Sequence, residues 1–188
     1  AKYSGFPSLL LKEWMGSYFP KFLETGVVIP HQNLEIKSEN IIGIPNYLKL
    51  EKFNLLHAGN LMSKRDPRFL VEAFLKFLED NPKAKKEAKL IFLGNADYHK
   101  KYMKGVVSNT IYWSGGNVPF ETVEVVQNNV SVNIILEAKS EISPFLPGKF
   151  PNCVHANKPI LLISPYYSES KRLLGNTYPY MSEIDDVK

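Results

Sequence analysis

Phe53-Asn54-Leu55-Leu56-His57-Ala58-Gly59-Asn60 is followed, after a short polar turn, by Asp66-Pro67 and then Arg68-Phe69-Leu70-Val71-Glu72-Ala73-Phe74-Leu75-Lys76-Phe77-Leu78-Glu79-Asp80. This stretch decides the fold. Its first six residues form a short apolar run closed by glycine, which reads as a buried strand. Asp66-Pro67 supplies an N-cap and a proline for the first helical position. From Arg68 to Asp80, residues Phe69, Leu70, Ala73, Phe74 and Phe77 fall on one face at helical spacing, and Asn81-Pro82 stops the helix.

The same unit recurs downstream. Lys89-Leu90-Ile91-Phe92-Leu93 reads as a second strand, ended by Gly94-Asn95 and followed by a polar helix from Asp97 to Lys104. Thr110 to Trp113 is a third strand, ended by Ser114-Gly115-Gly116, and Pro119 opens a helix running to Gln127. Val130 to Leu136 is a fourth strand, Pro147-Gly148 opens a helix ending near Asn157, Pro159 to Ile163 is a fifth strand, and Ser168 to Leu174 is a short helix. Strands alternating with helices imply right-handed crossovers and a parallel sheet. Continuous apolar strands imply that both sheet faces are covered. The predicted fold class is therefore α/β, a doubly wound, Rossmann-like parallel sheet, whose ligands bind at the carboxyl ends of the strands.

Residues 1–44 break the rhythm and read as a linker or a remnant of a preceding domain, with residues 45–188 as the Rossmann-like domain. Phe6, Leu9, Leu10, Trp14, Tyr18, Phe19 and Phe22 share one helical apolar surface limited by Pro7 and Pro20. Packing against this or another domain explains that surface better than a membrane-surface helix, because the opposite face lacks a dense lysine and arginine cluster. The abrupt opening at Ala1 and the absence of a helix after Asp186 suggest a fragment that is short at its end.

Composition narrows the class. Of the 188 residues, 44% are hydrophobic and 22% charged, ordinary globular values that exclude a disordered tail. The single cysteine, Cys153, excludes an internal disulfide and favours a reducing, cytoplasmic compartment. No apolar run is long enough to span a bilayer, and Leu9-Leu10-Leu11 lacks the flanks of a signal peptide. The net charge of +4 suits an anionic ligand but carries little weight alone. No basic-aromatic stripe points to nucleic acid. His31, His57, His99 and His155 are scattered and have no metal-site spacing, so each reads as structural or surface. Cys153 reads as a small core residue.

Three strand-to-helix turns carry chemistry. Gly59 to Arg65 lets backbone approach a ligand while Lys64 and Arg65 add charge suited to a phosphate. Alone, it reads as a solvated loop with a basic pair, and it is not a dinucleotide fingerprint because the later glycines are missing. Gly115-Gly116-Asn117-Val118-Pro119 leaves room for a flat base, although a plain turn explains it equally. Pro144-Phe145-Leu146-Pro147-Gly148-Lys149-Phe150 feeds a short helix whose amides and lysine converge on one point, as a diphosphate requires, or as a capped helix with a surface lysine would.

The order of these turns resembles the C-terminal domain of group 1, retaining glycosyltransferases of GT-B fold. Ile44-Pro45-Asn46, then His57-Ala58-Gly59-Asn60-Leu61 and Arg65-Asp66-Pro67, look like the family's entry segment, first strand and turn. Leu146-Pro147-Gly148-Lys149-Phe150 with Ala156-Asn157-Lys158-Pro159-Ile160-Leu161 resembles its proline-glycine-lysine helix and next strand. The likeness runs from about Ile42 to Leu174. It implies a domain that holds a nucleoside diphosphate sugar without a metal or other cofactor, transferring the sugar to a saccharide or lipid-linked acceptor bound by an N-terminal domain. It also implies that the isolated domain is inactive alone. A role in polysaccharide synthesis, with peripheral association at the inner face of a membrane, fits the same resemblance.

By position in the family, Gly59, Asn60, Lys64 and Arg65 lie near the phosphates. Gly94, Gly115 and Val118 line the rim and base site, and Pro147, Gly148 and Lys149 lie against the diphosphate. Asn152 stands where the family has a ribose-binding glutamate, and Asn60 where it has an arginine. Glu141 is the candidate catalytic acidic residue, at a spacing that departs from the family's. The alternatives are a catalytically silent nucleotide-binding or scaffold module, which these departures allow, and a nucleotide-sugar epimerase-like domain, which would need acid and base residues the chain does not display.

Overall fold

The computed structural model describes residues 2–32 and 43–184. The predicted repeat from Phe53 onward is observed with small shifts. Strands β3 (Phe53–Ala58), β4 (Ala88–Leu93), β5 (Ile111–Trp113), β6 (Val132–Leu136) and β8 (Ile160–Ser164) are all parallel neighbours in one sheet. A further strand, β10 (Met181–Glu183), pairs beside β8 and was not foreseen, because three residues with two polar members carry no periodic signal. The sheet therefore has six strands in the order β10-β8-β6-β3-β4-β5, and two short strands outside it, β7 (Ile142–Ser143) and β9 (Tyr167–Ser168), pair with each other in parallel. The chain builds outward from β3 to β5, then returns to the other side of β3 as β6. That reversal sets a switch point beside β3, and the carboxyl edge there is where doubly wound sheets bind ligands.

Both sheet faces are covered, as the continuous apolar strands require. Along β4, Leu90 and Phe92 join one core cluster, while Ile91 and Leu93 join another. The first cluster contains Leu70, Val71, Phe74 and Leu78 of α3 (Arg68–Asp80) and Met103 of α5 (Lys100–Val106). The short α4 (Ala84–Glu87) leads from α3 into β4. Opposite lie Val126 of α6 (Phe120–Asn129) and Phe150 and Cys153 of α7 (Phe150–His155). Burying each large side chain of this kind contributes about 1.5–3 kcal/mol before entropy is counted. Asp66 caps α3 as expected, accepting the Arg68 amide at 3.0 Å, although the regular helix begins at Arg68. The polar helix after β4 opens as a 3-10 turn over Asp97–His99.

The first 32 residues differ from the single apolar helix surface predicted for them. Phe6 lies in β1 (Ser4–Phe6), which pairs in parallel with β2 (Gly26–Val28), and Phe22 lies in a separate helix, α2 (Lys21–Thr25). Only Leu9, Leu10, Trp14 and Tyr18 belong to α1 (Leu9–Tyr18), which Pro7 and Pro20 do bracket. The chain turns too tightly at Phe19-Pro20 for one helix to continue. Ser8 caps α1 and donates its hydroxyl to the Pro144 carbonyl. The free amides of Leu9 and Leu10 are taken by the Glu169 carboxylate at 3.1 and 3.2 Å. Glu169 is buried, opens α8 (Glu169–Leu174) and also pairs with Arg172. The predicted limits at Ile42 and Asp186 lie outside the described residues.

Candidate functional site

At the carboxyl ends of β3 and β4 the chain is held by its own turns. The Gly59 amide donates to the Leu93 carbonyl, the Leu61 amide to the Asn95 carbonyl, and the Asn95 amide to Asn60 Oδ1 at 2.9 Å. Gly94 is pinned on both sides: its amide donates to Ser114 Oγ, and its carbonyl accepts from Trp113 Nε1 at 2.9 Å. A Cβ on Gly94, whose φ is +133°, would stand 2.7 Å from the Gly59 carbonyl oxygen. Only glycine permits that approach, so both glycines serve to bring two strand ends together.

This crossing point floors an open cavity of about 380 Å³. Gly59, Asn60 and Gly94 form one wall, Val118, Phe120 and Val123 a second, and Gly148, Lys149 and Asn152 a third. Seven of the predicted site residues thus meet at one place: Gly59, Asn60, Gly94, Val118, Gly148, Lys149 and Asn152. Phe120 was missed, because a phenylalanine starting an amphipathic helix looks like any core residue. Gly115 sits in a positive-φ turn facing open space, and Pro147 lies behind the loop, where its carbonyl accepts the Phe150 amide. Lys64 is exposed, and its carbonyl accepts the Lys139 amide. None of these three lines the cavity. Glu141 is exposed and is not among the residues that line the cavity.

Lys149 dominates the electrostatics. Its Nζ lies 3.1 Å from His57 Nδ1. It is also 3.3 Å from where a Gly59 Cβ would be. Burial, and then the nearby Arg65 guanidinium, pull its pKa down to about 7, with Cys153 and Glu137 acting the other way. His57 is fully buried, and burial followed by the charges of Lys149 and Arg65 holds its pKa well below the usual histidine range. It is therefore a neutral imidazole whose ring nitrogen accepts from the ammonium. His57 therefore has the structural role rather than the surface role of the two expected for it, and the side chain it supports is Lys149.

Arg65 belongs to the same cluster. It folds back so that Nη1 donates to the Asn60 carbonyl at 3.1 Å, while its Nε is buried without a hydrogen-bond partner. Asn60 is neutral and its side-chain oxygen is committed to the Asn95 amide, so it brings no charge to the cavity. A buried carboxyl, Glu137, lies behind the pair at the end of β6. Its Oε1 accepts from Ser170 Oγ at 2.6 Å and Ser168 Oγ at 3.1 Å, and Oε2 has no partner. Burial pushes its pKa up, against the hydroxyl hydrogen bonds and the Arg65 charge.

The helix after the proline-glycine-lysine turn gives less than its place suggests. It begins at Phe150, whose amide is spent on Pro147, and Pro151 has no amide to offer. The side-chain cations therefore outweigh the helix terminus as the source of positive potential. Cys153 is a buried core residue as predicted, with burial raising its thiol pKa and Gln127 Nε2 3.6 Å from its sulfur. His99 Nε2 lies 3.0 Å from the Met62 carbonyl, outside the cavity. Among the described residues no cluster of His, Cys, Asp and Glu could hold a metal ion, and no helix is long and apolar enough to cross a membrane.

A six-stranded parallel sheet, covered on both faces, with a cavity at its carboxyl edge, defines a doubly wound, Rossmann-like domain, a fold that GT-B glycosyltransferases share. The particular structures that share it are glycosyltransferases. The UDP-forming α,α-trehalose-phosphate synthase of Burkholderia xenovorans superposes with a TM-score of 0.67 at 9% identity, covering 99% of this chain and 51% of that one. The GtfA/B complex gives 0.65 at 13% identity, covering 97% and 34%. A TarM variant of S. aureus, in complex with fondaparinux, α-GlcNAc-glycerol and UDP, gives 0.56 at 12%, covering 89% and 32%. At such identities the likeness shows the fold alone, and the chain spans about half or less of each neighbour's length. No protein-family profile and no curated protein matches the sequence.

Proposed function

We propose that the chain is the donor-binding domain of a glycosyltransferase, group 1 and retaining in type, which holds a nucleoside diphosphate sugar in the cavity at the carboxyl ends of β3 and β4. The observation that carries this reading is Lys149. Its amine is buried against a neutral histidine with Arg65 nearby, and among the described residues no carboxylate forms an ion pair with it, so the attraction of Glu137 leaves its desolvation largely uncompensated. A pyrophosphate beside Gly59 supplies the compensating anion. The cavity's size falls in the range of small-molecule sites. Its apolar wall of Val118, Phe120 and Val123 suits the flat face of a base. Asn152 offers a neutral hydrogen-bonding group to a ribose.

In transfer, Lys149 and Arg65 would stabilise the charge that develops on the departing diphosphate, and the rigid glycine crossing fixes where that charge forms. The acceptor, a saccharide or lipid-linked saccharide, would be presented by a further domain of the parent protein, so this domain would bind donor without turning it over. A role in polysaccharide synthesis at the inner face of a membrane belongs to the same reading. Isothermal titration with UDP-glucose, UDP-N-acetylglucosamine and GDP-mannose tests it. At least one should bind, with Lys149→Met weakening it about tenfold or more, as expected for loss of a charged hydrogen bond. No binding by any of them, or binding indifferent to Lys149, refutes the proposal.

A further inference from the structure

Beyond the donor crevice, a second recess opens at the carboxyl end of β8. Tyr166 and Tyr167 stand there with 62% of each residue exposed, their rings edge to face at 4.9 Å. With Ser168, Lys171, Arg172 and Asn176 they wall an open hollow of about 490 Å³, closed at the back by Leu10 of α1. Adjacent exposed tyrosines are costly to leave bare and present flat apolar faces with polar tips. Lys171 Nζ rests 4.5 Å from the Tyr166 ring centroid, and among the described residues no carboxylate forms an ion pair with it. Arg172 is held by Glu169 through Nε and Nη2, and Glu13 also acts on the guanidinium, so Lys171 is the principal charge available to a ligand.

The recess wall is rigid and tied to the cation cluster. Ser168 Oγ accepts the Lys171 amide and donates to Glu137, whose charge is felt by both Arg65 and Lys149. An aromatic pair, an amide and an ammonium that rests on the Tyr166 ring without a carboxylate partner match a ligand with apolar ring faces, hydroxyls and a negative group.

We propose that this recess binds an anionic saccharide, one carrying a phosphate or carboxylate, separately from the donor. Its use as an acceptor subsite rests on the glycosyltransferase reading above; the binding itself does not. Lys171 takes the anion, the tyrosine faces take the sugar ring, and Asn176 takes hydroxyls.

The test is an amide-resolved NMR titration of the whole chain with glucose 6-phosphate, glucuronate, glucose and inorganic phosphate, followed by UDP-glucose in the same sample. The first two should shift residues 166–172 with millimolar dissociation constants, about tenfold more tightly than glucose or phosphate alone. Lys171→Glu and Tyr166→Ala, both changes of solvent-facing side chains, should each abolish those shifts, whereas Lys149→Met should leave them intact. Silence at residues 166–172 up to about 20 mM overturns the proposal. So does equal binding of bare phosphate or of neutral glucose. UDP-glucose shifts at Gly59 and Gly94 report on the donor crevice independently, so either idea can fail while the other stands.

Discussion

If the crevice binds a pyrophosphate through Lys149, donor affinity must depend on pH in a way that the buried lysine sets. Its pKa is about 7 in the free protein. Between pH 8 and pH 6 the protonated fraction rises from about 0.1 to about 0.9, and affinity for a pyrophosphate that needs the ammonium should rise about tenfold. The neighbours packed against the lysine are His57, Arg65, Cys153 and Glu137. His57 stays neutral, Arg65 stays charged, and burial raises the Cys153 thiol, so none of these three gives the same titration. Glu137 is raised as well, and the lysine variant separates its contribution. A nucleoside diphosphate sugar, whose pyrophosphate is a diester, is a better probe than a free diphosphate with its terminal phosphate titrating near pH 6. Calorimetry at pH 7 in buffers of different ionisation enthalpy should reveal uptake of about half a proton per molecule bound. Lys149→Met should abolish both the uptake and the pH slope. Affinity flat from pH 6 to pH 8 with no buffer dependence refutes the placement of Lys149 against the pyrophosphate.

The same lysine should cost stability. In the folded chain it loses its proton near pH 7 and in the unfolded chain near 10.5, so the unfolded state binds more protons between those values and stability rises with pH across that window. Lys149→Met should therefore melt above wild type at pH 6, with the gap closing towards pH 10 in differential scanning calorimetry. Gly94→Ala places a methyl against the Gly59 carbonyl at a φ of +133° and should destabilise the fold by about 2 kcal/mol or more, lowering the melting temperature by several degrees. Glu169→Ala strips the carboxylate from two α1 amides and from Arg172, a loss of about 2–3 kcal/mol that denaturant titration would register.

Most of the sheet was legible because its strands are unbroken apolar runs closed by glycine, and α3 because its apolar positions recur at helical spacing. The site was legible only where conformation forces residue type. Gly59 and Gly94 announce a close backbone approach, and Lys149 follows a proline-glycine turn. His57 was hidden because a histidine inside a strand looks like any satisfied core residue until its partner, 92 positions later, is known. Glu137 was hidden for the same reason: its Ser168 and Ser170 partners come from another crossover. Glu141 was singled out from the family resemblance at a spacing that does not match, and a loop residue five positions beyond the end of β6 has no direction fixed by that strand. The N-terminal unit escaped because its parallel β1–β2 pair depends on a crossover, not on any local pattern.

Glu169 clasps the start of α1 while opening α8, and the residue before it, Ser168, grips Glu137 beside the cation cluster. Two consecutive positions therefore join the leading helix to the charged centre of the molecule, since the carboxylate that Ser168 holds is the one that acts on Arg65 and Lys149.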